Sequence, residues 1–343
     1  MMRVVLAGLG VRGTYWADVI TRSTRAEIIA YADPNPAMIE RAKARFGDYP
    51  AFATAEEALS ALGDDVDALV LANPPMGREG QVRAATERGI PMLIEKPLAL
   101  DVVEAAYLVN IAESADVPMM IGLNFRYLPV TIETRKLIAE GTIGQPAFAR
   151  FTYERYRDGN RPDLNKYPLT MDQPMLWEQT IHHYDLLRYV YGQEPILIQS
   201  QTWNPAWSMY ESDANVAAII TFDGGMVVNY QGTWQSNWHV PNFEWRTECS
   251  GGVIVQQEQF GKLNYAAHAD DTLQPVTLPE HEIWVSETIG LFEAFVDTVV
   301  DDKPLYCSGR DHLTSLAMLE ASIRSSREGR GVTIDEVLQV VSQ

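Results

Sequence analysis

The chain opens with a largely apolar run, Met2–Ala7, that lacks the polar alternation of a half-exposed strand. Such a run predicts a parallel strand covered by helices on both faces. A pattern of helical period follows through Tyr15, Trp16, Val19 and Ile20, and a second strand-like run, 27–32, ends at Asp33. The alternation repeats, with helices predicted over 35–46, 55–62, 77–88 and 102–114 and strands over 68–72, 92–94 and 118–122. Strands alternating with helices in this way form right-handed βαβ units, and ligands gather beyond the carboxyl ends of the strands. Residues 8–13, Asp33, Asn73-Pro74, Lys96 and Asn124 all fall at those ends and are expected to line one crevice.

Past residue 125 the period changes. A connecting helix, 130–140, ends at Gly141, and β-rich runs occupy 147–156, 196–203, 216–222, 226–234, 243–249 and 253–260. Asp223-Gly224-Gly225 and Ser250-Gly251-Gly252 punctuate hairpins, so the second sheet is expected to be mostly antiparallel. Amphipathic helices over 283–300 and 310–326, the latter capped by Ser308, close the chain.

Composition narrows the possibilities. A chain of 343 residues with 46% hydrophobic content buries a large core and favours two domains. No stretch approaches a membrane span, and the first strand follows the N-terminus without a basic leader or twin-arginine signal. Two cysteines, Cys249 and Cys307, make no disulfide framework, so the expected location is the reducing cytoplasm. The net charge of −19 argues against nucleic acid, whose phosphates demand lysine and arginine.

The loop Gly8-Leu9-Gly10-Val11-Arg12-Gly13 carries the first candidate chemistry. Gly8 permits a tight turn, Gly10 lets the backbone approach a pyrophosphate, and Gly13 lets the next helix pack against the strand. The helix then points unpaired N–H groups at the phosphates. Glycine loops also occur as plain turns, but this one follows a strand, opens a helix and precedes Asp33 at the spacing of a ribose-binding acid. A carboxylate there accepts ribose hydroxyls and repels a 2′-phosphate, and residues 34–36 offer no arginine, so NAD is favoured over NADP. The alternative is that Asp33 merely caps the helix started by Pro36, which leaves that choice open.

Within residues 175–189, a helix puts Glu178, His182 and Asp185 at i, i+4 and i+7, on one face, with His183 and Leu187 pointing elsewhere. A carboxylate one turn from an imidazole holds the ring and raises its basicity, as a general base requires. Apolar neighbours Leu176, Ile181, Leu186 and Tyr189 argue for a covered helix rather than a surface one. Imidazoles and carboxylates also ligate metals, but His183 points away from the other three and hydride transfer to a nicotinamide needs no metal.

These features together resemble the Gfo/Idh/MocA oxidoreductases. The resemblance rests on the glycine loop, Asp33, Glu95-Lys96-Pro97 after a buried strand, Asn124-Phe125-Arg126 with Pro129, Gly141-Thr142-Ile143-Gly144, and the His182 to Leu187 helix ending in Tyr191-Gly192. It implies an α/β protein: an N-terminal Rossmann domain with a parallel sheet (1–123), then a C-terminal α/β domain (124–343) on a large, mostly antiparallel sheet. The second would serve substrate and oligomerisation, with its final helices packing back on the first. The implied activity is hydride transfer between a bound nicotinamide and a sugar, cyclitol or related polyol. Lys96 would hydrogen-bond the reacting hydroxyl and His182 would exchange its proton. Glu178 would orient substrate or His182, and Asp185 would bind a substrate hydroxyl or act as a structural cap. Asn73, Pro74 and Glu95 would approach the ribose and nicotinamide, while Asn124 and Arg126 reach the site.

The chain departs from the family pattern at Arg78, where many members carry histidine, and at Glu178 and Thr180, where aspartate and glycine are common. Thr180 is expected to thicken a helix start often left bare. Trp177, beside Glu178, is the tryptophan expected to stack on a sugar; the others are assigned to packing or subunit contacts. A homodimer or homotetramer is expected by analogy. Two other activities stay open, an NAD-dependent glycosidase working by transient oxidation and a non-catalytic dinucleotide- or sugar-binding regulator. Retention of both Lys96 and His182 disfavours the regulator.

Overall fold

The computed structural model describes residues 1–341. The chain forms two compact units, Met1–Asn124 with Trp284–Leu313, and Phe125–Ile283 with the residues from Thr314 onward.

The first unit alternates strands and helices: β1 (Met2–Ala7), α1 (Val11–Arg22), β2 (Ala26–Ala32), α2 (Pro36–Phe46), β3 (Ala51–Phe52), α3 (Ala55–Leu62), β4 (Ala68–Leu71), α4 (Glu79–Thr86), β5 (Met92–Ile94), α5 (Val102–Glu113) and β6 (Met119–Ile121). Among the described residues, six strands pair in the order β3-β2-β1-β4-β5-β6, all parallel. The strand order reverses between β1 and β4, which is where a doubly wound sheet opens its ligand crevice. Val4, Val5, Leu6, Leu69, Val70 and Leu93 are fully buried, as the solid apolar runs require. Burial of each contributes about 1.5–3 kcal/mol.

Side-chain caps fix the starts of α2, α3 and α5. Asn35 accepts from Ala37 N at 3.0 Å, Thr54 from Glu57 N at 3.2 Å and Asp101 from Glu104 N at 2.9 Å. Each satisfies a backbone donor that the helix cannot, and contributes roughly 1 kcal/mol. The helix predicted over 77–88 is shorter because Gly77 takes φ +71° and stays outside it.

The second unit contains α6 (Pro129–Ala139), β7 (Pro146–Glu154), α7 (Ile181–Tyr191), β8 (Pro195–Trp203), β9 (Asn215–Phe222), β10 (Val227–Thr233), β11 (Asn242–Cys249), β12 (Gly252–Glu258), β13 (Gly261–Ala267) and β14 (Gln274–Pro275). Two long helices follow, α8 (Ser286–Asp301) in the first unit and α9 (Gly309–Glu328), which starts in the first and continues in the second; β15 (Val332–Thr333) and α10 (Ile334–Val341) come last. Nine strands pair in the order β14-β13-β12-β11-β7-β10-β9-β8-β15 among the described residues. The sheet is antiparallel except for the β7–β10 pair. The predicted Ser308 cap accepts from Asp311 N at 3.1 Å.

Strands β13, β14 and β15 and helix α10 go beyond the elements read from sequence. In β13 only Leu263 and Ala266 are buried, with Lys262 and Asn264 between and beside them, so its alternation is weak. Helix α10 did carry a signal, Ile334, Val337 and Leu338 at helical spacing. Among the described residues no helix is long and apolar enough to cross a membrane.

Candidate active site

The glycine loop joins β1 to α1 at the sheet's switch point. Gly8 takes φ +86°, and a Cβ there would lie 2.5 Å from Asn73 N, so the loops after β1 and β4 touch backbone to backbone. At Gly13 a Cβ would lie 1.9 Å from the Gly8 carbonyl oxygen, so only glycine lets α1 start this close to the turn. A Cβ at Gly10 would meet nothing within 4 Å, leaving open space beside the backbone. Helix α1 begins there with no side-chain cap and no acid in its first turn. Its exposed N–H groups therefore suit an anion.

Asp33, 9% exposed, accepts from Leu9 N at 2.7 Å through Oδ2 and from Asn35 N at 2.8 Å through Oδ1. The helix started by Pro36 is capped by Asn35 and not by Asp33, which corrects that alternative. The carboxylate ties the glycine loop to the end of β2 and keeps lone pairs for further donors.

Glu95 is 3% exposed, and its Oε1 accepts from Arg12 Nε at 2.7 Å and Trp16 Nε1 at 2.8 Å. The Arg12 side chain is thus turned from the loop toward β5, leaving its backbone for any phosphate. Lys96 follows, half-buried, with a cis bond to Pro97. Leu9 is buried, Val11 and Pro74 are exposed. Three buried polar atoms, Asn73 Oδ1, Glu95 Oε2 and Asn124 Nδ2, have no hydrogen-bond partner among the described residues. They stand just past β4, β5 and β6. Unpaired buried atoms cost about 1–3 kcal/mol each, so this edge of the sheet fits a polar ligand. With the open Gly10 backbone and Asp33, the residues present fit a dinucleotide.

In the second unit the predicted helix is two pieces. Leu176–Thr180 forms a π-helical turn, and the α-helical register starts at Ile181. The wider turn breaks the simple i, i+4 relation of Glu178 to His182, which corrects the single-helix expectation. Every residue of α7 except Tyr189 is buried. His182 is 6% exposed and lies stacked on Phe125. Glu178 is half-buried and accepts from Tyr167 Oη at 2.6 Å.

Asp185, 1% exposed, takes both Arg126 Nε, at 2.7 Å, and Arg126 Nη2, and also accepts from Ser315 Oγ at 3.2 Å. Ser315 in turn accepts from Arg188 Nη1 at 3.0 Å, and Arg188 forks onto Glu194 at 2.7 and 2.9 Å. Asp185 and Arg126 are therefore committed to each other within a charged network. Trp177 is 4% exposed, packed rather than presented as an open platform.

His183 points into the sheet, with Nδ1 2.7 Å from Tyr230 Oη and Nε2 3.0 Å from Gln179 Nε2. Burial pulls its pKa down to about 3, so it is neutral, and the same burial pushes the Tyr230 phenol well up. Thr180, wholly buried, lies 3.0 Å from Tyr230 Oη. Its side chain faces the sheet, so it does not thicken the helix start as expected. No cluster of three or more His, Cys, Asp or Glu suited to a metal exists among the described residues.

Sequence reasoning did not find Tyr167, Phe125's stacking role or the Tyr230 anchor. Tyr167 opens a three-residue 3-10 turn 11 residues before its partner, too short for periodicity to mark it.

Residues 2–123 match the family described as an oxidoreductase family with an NAD-binding Rossmann fold, and residues 131–255 match the GFO/IDH/MocA C-terminal domain. The chain is 24% identical over 343 residues to inositol 2-dehydrogenase of Rhizobium meliloti, covering 97% of this chain and 99% of that protein. Its fold is that of an oxidoreductase from Agrobacterium radiobacter in complex with NAD+, L-tartaric acid and magnesium (TM-score 0.89, 19% identity, 98% and 99% of the two chains). Levoglucosan dehydrogenase in complex with NADH and levoglucosan is similar too (TM-score 0.84, 20% identity, 97% and 99%). Both halves being matched in their expected order, the chain belongs to the Gfo/Idh/MocA oxidoreductase family, with an NAD-binding Rossmann fold as its first half.

Proposed function

We propose that the protein is an NAD-dependent dehydrogenase of a sugar, cyclitol or related polyol, acting at a CH–OH carbon. The observation that carries this reading is the pairing of Asp33 with an uncapped, acid-free helix start at Gly10, beside unpaired buried groups of Asn73, Glu95 and Asn124. The similarity to an inositol dehydrogenase over nearly the whole chain supports the substrate class.

NAD, when bound, supplies the hydride acceptor. Helix α1 and the Gly10 backbone hold the pyrophosphate, and Asp33 accepts the adenosine ribose hydroxyls. Asn73, Glu95 and Asn124 offer hydrogen bonds to the nicotinamide end. Lys96 donates to the substrate oxygen and stabilises charge developing there. His182 takes the hydroxyl proton, or returns it in the reverse direction. Its ring is held by stacking on Phe125. Glu178, held by Tyr167, orients a substrate hydroxyl, while Asp185 acts through Arg126 as part of the support. NADP is disfavoured by the charge of Asp33.

The test is incubation of the protein with NAD and a panel of cyclitols, aldoses and glycosides, reading NADH absorbance and free sugar together. NADH formation supports the proposal. Free sugar without net NADH would mean hydrolysis by transient oxidation, and binding without either product a regulator.

A homodimer or homotetramer in the cytoplasm completes the reading. The outward face of the nine-stranded sheet leaves Phe148 and Ile219 56% and 46% exposed, and Cys249 and Cys307 form no disulfide. Sedimentation equilibrium reads the assembly directly, and a monomer would end that part.

A further inference from the structure

Arg78 immediately precedes α4 and is fully buried. Its Nη1 donates to the carbonyl oxygens of Glu95 and Pro97, both at 2.7 Å, and of Leu98 at 3.1 Å. Its Nη2 donates to the Asn73 carbonyl at 2.6 Å. Burying a guanidinium is costly unless it is hydrogen-bonded, and here converging backbone carbonyls engage both terminal nitrogens. Two of the four carbonyls flank Lys96 in the chain. The fork therefore grips the backbone on each side of Lys96 and ties it to the turn after β4, which itself touches the glycine loop at Gly8.

We propose that Arg78 is a positioning residue: it sets the place of the Lys96 ammonium by clamping the loops after β4 and β5. The proposal rests on the dehydrogenase reading for its catalytic consequence. Arg78 is too deeply buried to meet a substrate, so it acts only through the backbone it holds. The residue type matters. A planar guanidinium offers five donors in a rigid fork, whereas an ammonium offers three in tetrahedral array.

The test compares full-length wild type, Arg78→Lys and Arg78→Met by NAD titration, steady-state kinetics and hydrogen exchange of peptides covering 72–76 and 92–98. A misplacement of about 1 Å costs on the order of 100-fold in rate, so Arg78→Met is expected to lose 10- to 100-fold in kcat. The Kd for NAD and the KM for the polyol are expected to stay within about threefold, as catalytic geometry is lost and binding is kept. Exchange is expected to quicken in both loops while β1 stays protected, and Arg78→Lys is expected to recover part of kcat. Unchanged kcat in Arg78→Met, or a loss in NAD affinity as large as the loss in kcat, would overturn the proposal. If Arg78→Met does not fold, Arg78→Lys decides: reduced kcat with unchanged KM supports it, wild-type kcat overturns it. Should the wild type oxidise no polyol, the dehydrogenase reading fails, and exchange alone then decides the clamp. Quickening confined to the two loops supports it, and unchanged exchange overturns it.

Discussion

Phe125 lies flat against His182, their ring centroids 4.1 Å apart and their planes within 17°. Stacking of this kind covers one face of the imidazole and leaves proton exchange to the nitrogens in the ring plane. His182→Ala is therefore expected to lower kcat by about two to four orders of magnitude, since it removes the general base and leaves the dinucleotide residues intact. Parallel NAD titrations and turnover measurements check it. Unchanged turnover would remove His182 from the mechanism.

Asp33 binds two backbone N–H groups, of Leu9 and Asn35, and so joins the glycine loop to the end of β2. Asp33→Ala is expected to weaken NAD by more than NADP. The substitution loses the ribose acceptor in both cases but relieves repulsion of the 2′-phosphate only in NADP. Fluorescence titration with each nucleotide measures the ratio; an equal loss would reduce Asp33 to an anchor of the loop.

The first unit was legible because its strands are buried on both faces: Val4, Val5 and Leu6 leave no ambiguity about period. The glycine loop was legible because backbone geometry ties glycine to a fixed place, and Asp33 because its position at the end of the second strand brings it to the loop's N–H groups. Arg78 was visible only as a departure, because its partners are carbonyl oxygens, which every residue has. The π-helical turn at Leu176–Thr180 was invisible because a period assumed to be 3.6 hides one added residue. The partnership of Asp185 with Arg126 joins residues 59 apart and depends on tertiary packing, which spacing does not encode.

His183 is buried and neutral, with its pKa lowered from 6.5 to about 3 by desolvation. Between those values the unfolded chain binds a proton that the folded chain does not. Its contribution to stability is therefore full above pH 6.5 and declines as pH falls toward about 3. The slope approaches about 1.4 kcal/mol per pH unit within that window. Melting curves of wild type and His183→Gln between neutral and acid pH check this. The variant is expected to show the shallower decline, and identical slopes would contradict it.

The side chains of Asp185 and Arg126 are 2% and 11% exposed. Removing one member strands the other, so Asp185→Ala is expected to cost about 3 kcal/mol in urea unfolding. Asp185→Leu with Arg126→Met is expected to recover part of the loss, because the uncompensated charge goes with its partner. A double substitution no better than the single would show that the pair is not the source.

The central claim is that hydrogen leaves a CH–OH carbon as hydride. It is tested most directly by supplying a polyol, chosen from those the protein oxidises and deuterated at that carbon, and measuring the mass of the reduced nicotinamide. The account predicts one deuterium on the nicotinamide in every turnover and a slower rate than with the protiated polyol. Reduced nicotinamide lacking deuterium, with the label released to water, would contradict it.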